Sequence, residues 1–283
     1  MNLRDALSNF SLDWRNDLSP KWRTVLAGVS PNALGVVDTL TFTTTEPIYP
    51  TRRNVVLAGA RADAHVFRAF DDLEPSKARC VLIGQDPYPA LSRATGRSFE
   101  QGDLNAWASK ASLVASSLRA LLRMLVAART GDATVLKMSW SNFVKFTATI
   151  QLESPRELFD HLQSQGVLCL NAGLTITRYK SGGAPEQTKG HIPFWKPVVG
   201  QVLRSIATRN TGNVVFLCLG QFAQSLLTSE RVKSEATTAG TWGTRAIDIA
   251  MPHPVAPGFI RGPNPFLAVN EKLALMGASV IDW

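Results

Sequence analysis

The chain of 283 residues is 45% hydrophobic and 18% charged, which is ordinary for a globular protein with one large domain or two small ones. No apolar run approaches the length of a membrane span, and the first residues carry charges where a signal peptide needs an apolar segment. Thirty Lys and Arg against 22 Asp and Glu give a net charge of +8, which favours polyanions such as nucleic acid, although net charge alone fixes no partner.

Residues 1–50 are predicted to form a helical and irregular lead-in to the main domain, which spans residues 51–283. The segment 12–29, "LDWRNDLSPKWRTVLAGV", is typical of a helix. The segment 39–50, "TLTFTTTEPIYP", is rich in Pro and Thr and predicts irregular structure.

Apolar runs and helical periodicity alternate through the main domain. Short apolar runs predict four strands, at 80–84, 167–171, 214–220 and 244–254. Apolar residues recurring at three and four positions predict helices at 65–73, within 104–129, and at 194–209, 221–230 and 264–278. The alternation is typical of the α/β class, here a single three-layer α/β/α domain with a central four-stranded, mostly parallel sheet.

Polar residues follow the predicted strands. Asp86 follows the first strand, Asn171 ends the second, Gly220 ends the third and His253 lies in the "MPHP" after the fourth. Ligands of open α/β sheets bind beyond the carboxyl ends of the strands, so these four residues are predicted to converge on one rim. Taken alone, Asp86 and Asn171 are also typical of turns, and His253 of a loop held by two prolines.

Two aromatic residues, Tyr88 and Phe99, accompany this rim. Singly they are typical of core aromatics, but beside an amide and an imidazole they suit a flat slot for a planar ring. A fixed Asn amide reads the edge of a base, and a rigid imidazole is a proton donor or electrophile. On a basic protein such a slot favours an extruded base, and Ser117 in "LVASSLRAL" is suited to contact a phosphate.

The three cysteines, Cys80, Cys169 and Cys218, lie inside apolar runs and are predicted to be core residues. No CxxC spacing is present, and three thiols are too few for a four-cysteine zinc or iron–sulfur site. An odd, buried set indicates a reducing compartment. We therefore expect a cytoplasmic protein without membrane association, or a nuclear one if the host is eukaryotic.

Motifs in the order found here resemble those of the family 1 uracil-DNA glycosylases. The chain has "GQDPYP" with "ATGRSF", then "VLCLNAGLT", then "MPHPVAPGFIRG", where the family has GQDPYH, AxGLxFS, LLLN, and HPSPLS followed by an RG pair. The resemblance covers almost the whole chain. It implies a compact α/β enzyme that hydrolyses the N-glycosidic bond of deoxyuridine in DNA and needs no metal or other cofactor.

The resemblance also implies a role for each pocket side chain. Asp86 would orient the attacking water and stabilise the positively charged sugar, and His253 would stay neutral and donate to uracil O2. Tyr88 would exclude the thymine methyl group, Phe99 would stack on uracil, and Asn171 would bind uracil O4 and N3.

Further residues are implied to line the pocket or to contact DNA. Gln85 would line the pocket, largely through its backbone. Ser117 matches the serine of the family's PPSL element that contacts a DNA phosphate, although "ASSL" stands here. Gly220 and Gln221, in "LGQFAQ", match the family's WGxxAQ element and are predicted to contact DNA.

The segments that grip DNA depart most from the family pattern. Pro89 replaces the histidine after GQDPY, and Arg97 replaces an apolar residue. In "HPVAPG", Pro257 stands where the family has the leucine that fills the gap left by the flipped base, and Val255 replaces a phosphate-contacting serine. Phe259 is an alternative DNA-contacting wedge, unless it packs into the protein and nothing intercalates.

Three functional hypotheses remain open on the sequence. The first is a monomeric, monofunctional glycosylase that releases uracil from single- or double-stranded DNA, and it is favoured by retention of the pocket side chains. The second is a catalytically altered relative that binds DNA or a partner protein, and it is favoured by the altered loops. The third is a glycosylase for another lesion, or one that acts chiefly on single strands.

Overall fold

A sheet of parallel strands lies at the centre of the fold. In this computed structural model, which describes residues 1–108, 110–178 and 184–283, the strands are β1 (Cys80–Gly84), β2 (Val167–Asn171), β3 (Val214–Leu219) and β4 (Ala246–Met251). Their order is β2-β1-β3-β4, and every neighbouring pair is parallel. The predicted four-stranded sheet is confirmed, and it is parallel throughout.

Helices cover the two faces of this sheet. Their bounds are α1 Leu3–Phe10, α2 Pro20–Val25, α3 Ser116–Thr130, α4 Trp140–Thr149, α5 Pro155–Ser164, α6 Ile192–Ala207, α7 Gln221–Ser229, α8 Val232–Thr238, α9 Pro257–Arg261 and α10 Pro265–Leu275. Within the three described ranges, no helix combines the length and the apolar character needed to cross a bilayer.

Strand side chains alternate between two hydrophobic cores, one on each face of the sheet. On β1, Val81 and Ile83 point into the first core, and Cys80 and Leu82 point into the second. Helices α1, α2, α6, α7 and α8 close the first core, and α3, α4, α5 and α10 close the second. Burial on both faces explains why β1 is apolar along its whole length. The predicted α/β/α layering is confirmed, and the three cysteines are buried and free, as expected.

The lead-in, residues 1–50, packs onto the first core. The ring of Trp14 lies 6.4 Å from that of Trp195 on α6. Trp22 is fully buried, and its indole N–H donates to the carbonyl of Leu73 at 2.7 Å. The boundary at residue 50 therefore marks a change of composition, and the segments on either side of it share one core.

The helix predicted at 65–73 is wrong. Only Arg68–Phe70 forms a turn of 3-10 helix there. The N–H groups of Phe70 and Asp71 donate to the carbonyls three residues before them, which makes the tighter turn of a 3-10 helix. The N–H of Val66 donates to the carbonyl of Thr51 at 2.7 Å, so the start of the segment is fixed to another part of the chain. Tertiary pairing has overridden the local periodicity.

The segments 12–29 and 104–129 are helical only in part. In the first, Ser19 is extended because it precedes the proline that begins α2, and proline disfavours helical backbone at the residue before it. In the second, the helix begins only at Ser116. The N–H of Ala115, just before it, is bound by the side-chain oxygen of Gln101 at 2.8 Å.

Candidate active site

A cavity of about 390 Å³ opens beyond the carboxyl ends of β1, β2 and β3. The predicted rim is therefore real, because in a parallel sheet all strands end on the same side. The predicted site residues that line the cavity are Gln85, Asp86, Tyr88, Phe99, Ser117, Asn171, Gly220, Gln221 and His253.

Asp86 lies two residues beyond β1 and is held by two side-chain amides. Gln85 donates through Nε2 to Oδ2 at 2.9 Å, and Gln187 donates through Nε2 to Oδ1. Burial raises the pKa of Asp86 to about 6, although the hydrogen bonds from Gln187 and Gln85 act to lower it. The carboxylate is thus ionised at neutral pH, with a basicity suited to accepting a proton from water.

Asn171 is the last residue of β2, and its side chain is almost fully buried. It pairs in register with Gly84 at the end of β1. A Cβ atom on residue 84 would lie 2.3 Å from Asn171 Oδ1, so only glycine leaves room for this amide. Among the described residues Oδ1 has no hydrogen-bond partner, and a buried acceptor of this kind is suited to a donor on a ligand.

His253 follows β4 and lies between two prolines. Its Nδ1 accepts a hydrogen bond from the N–H of Val255 at 3.3 Å, so in the neutral ring the proton resides on Nε2. Burial lowers the pKa of the imidazole, which keeps it neutral at physiological pH. Gly220 lies against it: the backbone of Gly220 has φ +90°, and a Cβ there would lie 3.0 Å from His253 Cβ.

Phe99 lines the cavity, and its backbone has an unusual conformation. Its φ is +64°, in the left-handed region that bulky residues rarely adopt. The preceding Ser98 is fixed to both neighbouring strands: its N–H donates to Cys169 at 3.0 Å, and its hydroxyl donates to the carbonyl of Leu82 at 3.0 Å. These bonds hold a strained residue at the site, as is common where a side chain must meet a ligand.

Tyr88 forms the wall between Phe99 and α3. Its hydroxyl donates to the carbonyl of Phe99 at 3.4 Å and lies 3.2 Å from the hydroxyl of Ser117. Burial raises the pKa of Tyr88 to about 12, so the ring is neutral and is fixed at its polar end. A fixed ring is able to exclude a ligand by steric contact.

Relatives found by sequence comparison share one name. The chain is 30% identical over 228 residues to the uracil-DNA glycosylase of Mycobacterium sp. strain KMS, covering 78% of this chain and 79% of that protein. It is 29% identical over 279 residues to the uracil-DNA glycosylase of Parafrankia sp. strain EAN1pec, covering 95% of this chain and 96% of that protein. The chain belongs to the uracil-DNA glycosylase family.

The fold agrees with this membership. The wild-type UNG of Nitratifractor salsuginis matches with a TM-score of 0.61 at 20% sequence identity, over 97% of this chain and 97% of that chain. At this identity the likeness establishes the fold alone. No protein-family model matches the sequence.

In the segment "HPVAPGFIRG", where the sequence predicts a DNA wedge, the apolar residues differ in exposure. Pro257 is exposed at the first position of α9, and Val255 is 56% exposed. Phe259 is only 1% exposed and packs into the second core. This burial favours the alternative that Phe259 packs into the protein, because the turn of α9 directs the ring inward, where its burial stabilises the fold. Its contact with DNA stays a prediction.

The remaining DNA-contacting predictions stay predictions, and the structure shows where these residues lie. Ser117 is half-buried beside Tyr88, Gly220 borders His253, and Gln221 is exposed at the first position of α7. Ser117, Gly220 and Gln221 line the cavity, whereas Pro257 is not among its lining residues and begins α9.

Two departures from the family pattern have structural explanations. Arg97 does not line the cavity; it donates to Asp160 on α5 at 2.7 Å and is 6% exposed. Its substitution for an apolar residue thus creates an ion pair behind the site. Pro89 is exposed at the rim and lines the cavity entrance.

Gln187 is the functional residue that the sequence analysis missed. It lies 101 positions from Asp86 in the chain, in a π-helical turn at Gln187–His191. Neither periodicity nor a motif marks this glutamine, because only the tertiary fold brings it to the carboxylate.

Proposed function

We propose that this protein removes uracil from DNA by hydrolysis of the N-glycosidic bond. Membership of the uracil-DNA glycosylase family supports the reaction. The observation that carries the proposal for this chain is that Asp86, Asn171 and His253 face one cavity together with Tyr88 and Phe99.

The pocket is proposed to recognise uracil by its edge and its face. The unpartnered Oδ1 of Asn171 accepts a hydrogen bond from uracil N3–H, and its Nδ2 donates to O4. Phe99 stacks on the ring. Tyr88 stands against C5, where the methyl group of thymine would meet its fixed ring.

The proposed chemistry divides between His253 and Asp86. As the bond between uracil N1 and the sugar C1′ breaks, negative charge builds on O2 and positive charge builds on the sugar. The Nε2–H of His253 donates to O2, an interaction that strengthens in the transition state. The carboxylate of Asp86 stabilises the sugar, orients the water whose oxygen bonds to C1′ and accepts the proton that this water loses, while uracil leaves as an anion with the electron pair of the broken bond.

Uracil-containing DNA is the proposed partner. The net charge of +8 supports attraction to phosphates. We further propose that the protein acts as a monomer on single- or double-stranded DNA, in the cytoplasm or, in a eukaryotic host, the nucleus.

The deciding experiment measures free uracil released from single- and double-stranded oligonucleotides in the presence of EDTA. We expect release from both substrates with no added metal. Activity that disappears on chelation and returns with metal would contradict the proposed chemistry. DNA binding without release of any base would favour a catalytically altered relative, and release of a different damaged base would favour another lesion.

A variant pair tests the pocket assignment in the same assay. Tyr88→Ala should allow some release of thymine, and Asn171→Asp should allow some release of cytosine, because a carboxyl group satisfies the exocyclic amine that an amide opposes. If both variants fold and bind DNA but release neither base, the roles assigned to these residues are wrong.

A further inference from the structure

Gln187 contacts the carboxylate that the proposed reaction depends on. Its Nε2 donates to Asp86 Oδ1 and lies 3.4 Å from the carbonyl oxygen of Thr175. Both neighbours are acceptors, so the amide has one orientation, with its nitrogen toward them. The side chain of Gln187 is 4% exposed, and its position is therefore set by packing.

The turn that carries Gln187 is itself anchored behind the site. The hydroxyl of Thr175 accepts a hydrogen bond from the indole N–H of Trp195 at 2.8 Å and is hydrogen-bonded to Nδ1 of His191, also at 2.8 Å. The other ring nitrogen of His191 lies 3.3 Å from the hydroxyl of Thr177. The turn is thus hydrogen-bonded to the chain that follows β2, and these bonds hold the backbone of Gln187 in place.

Gly173 leaves the space in which the contact forms. A Cβ atom at this position would lie 2.6 Å from Gln187 Nε2 and 3.0 Å from Asp86 Oδ1. The N–H of Gly173 also donates to the carbonyl of Gln85 at 2.9 Å. The backbone at Gly173 is therefore bound to the backbone of Gln85 and lies close to the amide of Gln187.

We propose that Gln187 is the positioning residue of Asp86, and that its amide, opposite that of Gln85, fixes the carboxylate plane so that the free lone pairs face the attacking water. Each oxygen of Asp86 accepts one amide N–H and keeps a second lone pair. A carboxylate held at one oxygen alone is free to rotate about its last torsion. The inference rests on the proposed function, since it assigns to Gln187 the positioning of a carboxylate that takes part in that reaction.

A second consequence concerns ionisation. An amide that donates to a carboxylate stabilises the charged form, so loss of Gln187 raises the pKa of Asp86. Among the described residues, the other titratable groups that line the cavity are Tyr88, Arg178 and His253, and the turn itself carries Lys189 and His191. Within the described residues, the hydrogen bonds to the carboxylate of Asp86 come from the two glutamine amides.

The test is the pH dependence of uracil release by the wild type, Gln187→Met and Gln187→Glu. We expect Gln187→Met to slow release at pH 8 by roughly 10- to 100-fold, the effect of misplacing a reacting group by about 1 Å. The acidic limb of its pH–rate profile, where the rate falls as Asp86 is protonated, should move to a pH about one unit higher, because a hydrogen bond to a charged group is lost. Gln187→Glu should move the limb further, since two carboxyl groups then face each other.

A residue that serves only the fold would change the rate without moving the acid limb, and that result would overturn the proposal. Gln201→Met is the matched control: Gln201 lies on α6, donates to the carbonyl of Val25 at 3.4 Å and does not line the cavity. Its acid limb should coincide with that of the wild type. Gly173→Ala disturbs the same contact without removing either side chain, and it should move the limb in the same direction as Gln187→Met.

An activity-independent measurement separates this proposal from the proposed function. The carboxyl carbon of Asp86 is titrated by NMR without DNA, in ¹³C-labelled wild type and Gln187→Met. A higher midpoint in the variant supports the positioning role even if no uracil is released. Equal midpoints overturn that role even if the wild type is fully active.

Discussion

The base cavity and the segment after His253 adjoin each other, but they are organised differently. In the cavity, Asp86 and Asn171 extend from strand ends, and hydrogen bonds or close packing hold them. In the segment, Val255 and Pro257 are exposed, while Phe259 is drawn into the core. The cavity is therefore preorganised, whereas the neighbouring segment exposes short apolar side chains.

We therefore expect the cavity to serve the chemical step and the segment after His253 to serve the opening of the duplex. Flipping a paired base costs a few kcal/mol, and an inserted apolar side chain offsets part of that cost. Val255 and Pro257 are short side chains, so we expect this protein to depend on DNA that is already open more than a protein with a long wedge would. Substitutions in the cavity should then have the same effect on single- and double-stranded DNA, whereas substitutions in the segment after His253 should affect double-stranded DNA more.

The largest effect is expected at Asp86. Asp86→Asn keeps the size of the side chain but removes the ionisable group, and it should slow uracil release about 10²- to 10⁴-fold. The loss should be equal on single- and double-stranded DNA in a gel-based excision assay. Asp282→Asn, whose side chain is 80% exposed at the far end of the chain, is the control and should retain full activity. A loss confined to duplex DNA would mean that Asp86 acts in base flipping instead.

His253→Ala is expected to slow release by roughly 10²- to 10³-fold, the cost of losing one donor to a developing oxyanion. Because burial lowers the pKa of His253, the wild-type rate should not fall between pH 7 and 9 through loss of an imidazolium proton. His161→Ala, a histidine on α5 outside the cavity, serves as the control. A wild-type rate that follows imidazolium through this range would contradict a neutral donor.

Phe259→Ala is expected to act on stability. Removal of a buried Phe side chain costs about 3–5 kcal/mol in the free energy of unfolding, measured by urea denaturation. At a temperature where the variant is folded, excision from single and double strands should change by the same factor. Selective slowing on duplex DNA would restore Phe259 as a wedge and remove the contrast between the two regions.

The ionisation of Asp86 should also make the free energy of unfolding depend on pH. Its pKa is raised from 3.8 to about 6 by burial, so the folded state favours the protonated acid. The corresponding stabilisation, up to ~3 kcal/mol, is fully present below about pH 4 and is lost as the pH rises through 6. The difference in unfolding free energy between wild type and Asp86→Asn should therefore change across this range. A constant difference would contradict the raised pKa.

The smallest effect is expected in the exposed segment. Val255→Ser should slow excision from duplex DNA on the order of 2- to 10-fold, because part of the apolar compensation for unstacking is lost. Excision from single strands should be unchanged, since no stack must be opened. The exposed Val280, at the other end of the sheet, gives the matched control Val280→Ser. Equal rates for Val255→Ser and wild type on both substrates would show that Val255 is not a wedge.

The sheet and the polar lining of the cavity follow from local sequence. Apolar runs such as "CVLIG" and "VLCLN" predict buried parallel strands, and their carboxyl ends must meet on one side of the sheet. Asp86, Asn171 and His253 are therefore brought together by local sequence and a general rule of topology. The capping pair Ser154 and Glu157 marks the start of α5 by an equally local signal.

The contacts between distant segments, in contrast, depend on how the whole chain packs. The segment 65–73 has a helical pattern, but its backbone pairs elsewhere. Phe259 has the chemistry of a wedge, but the turn of α9 buries it. Gln187 reaches Asp86 across 101 residues, through a turn anchored on Thr175. Local sequence sets the preferences of each segment, whereas the burial and the hydrogen bonds that win over those preferences depend on which other segments pack against it.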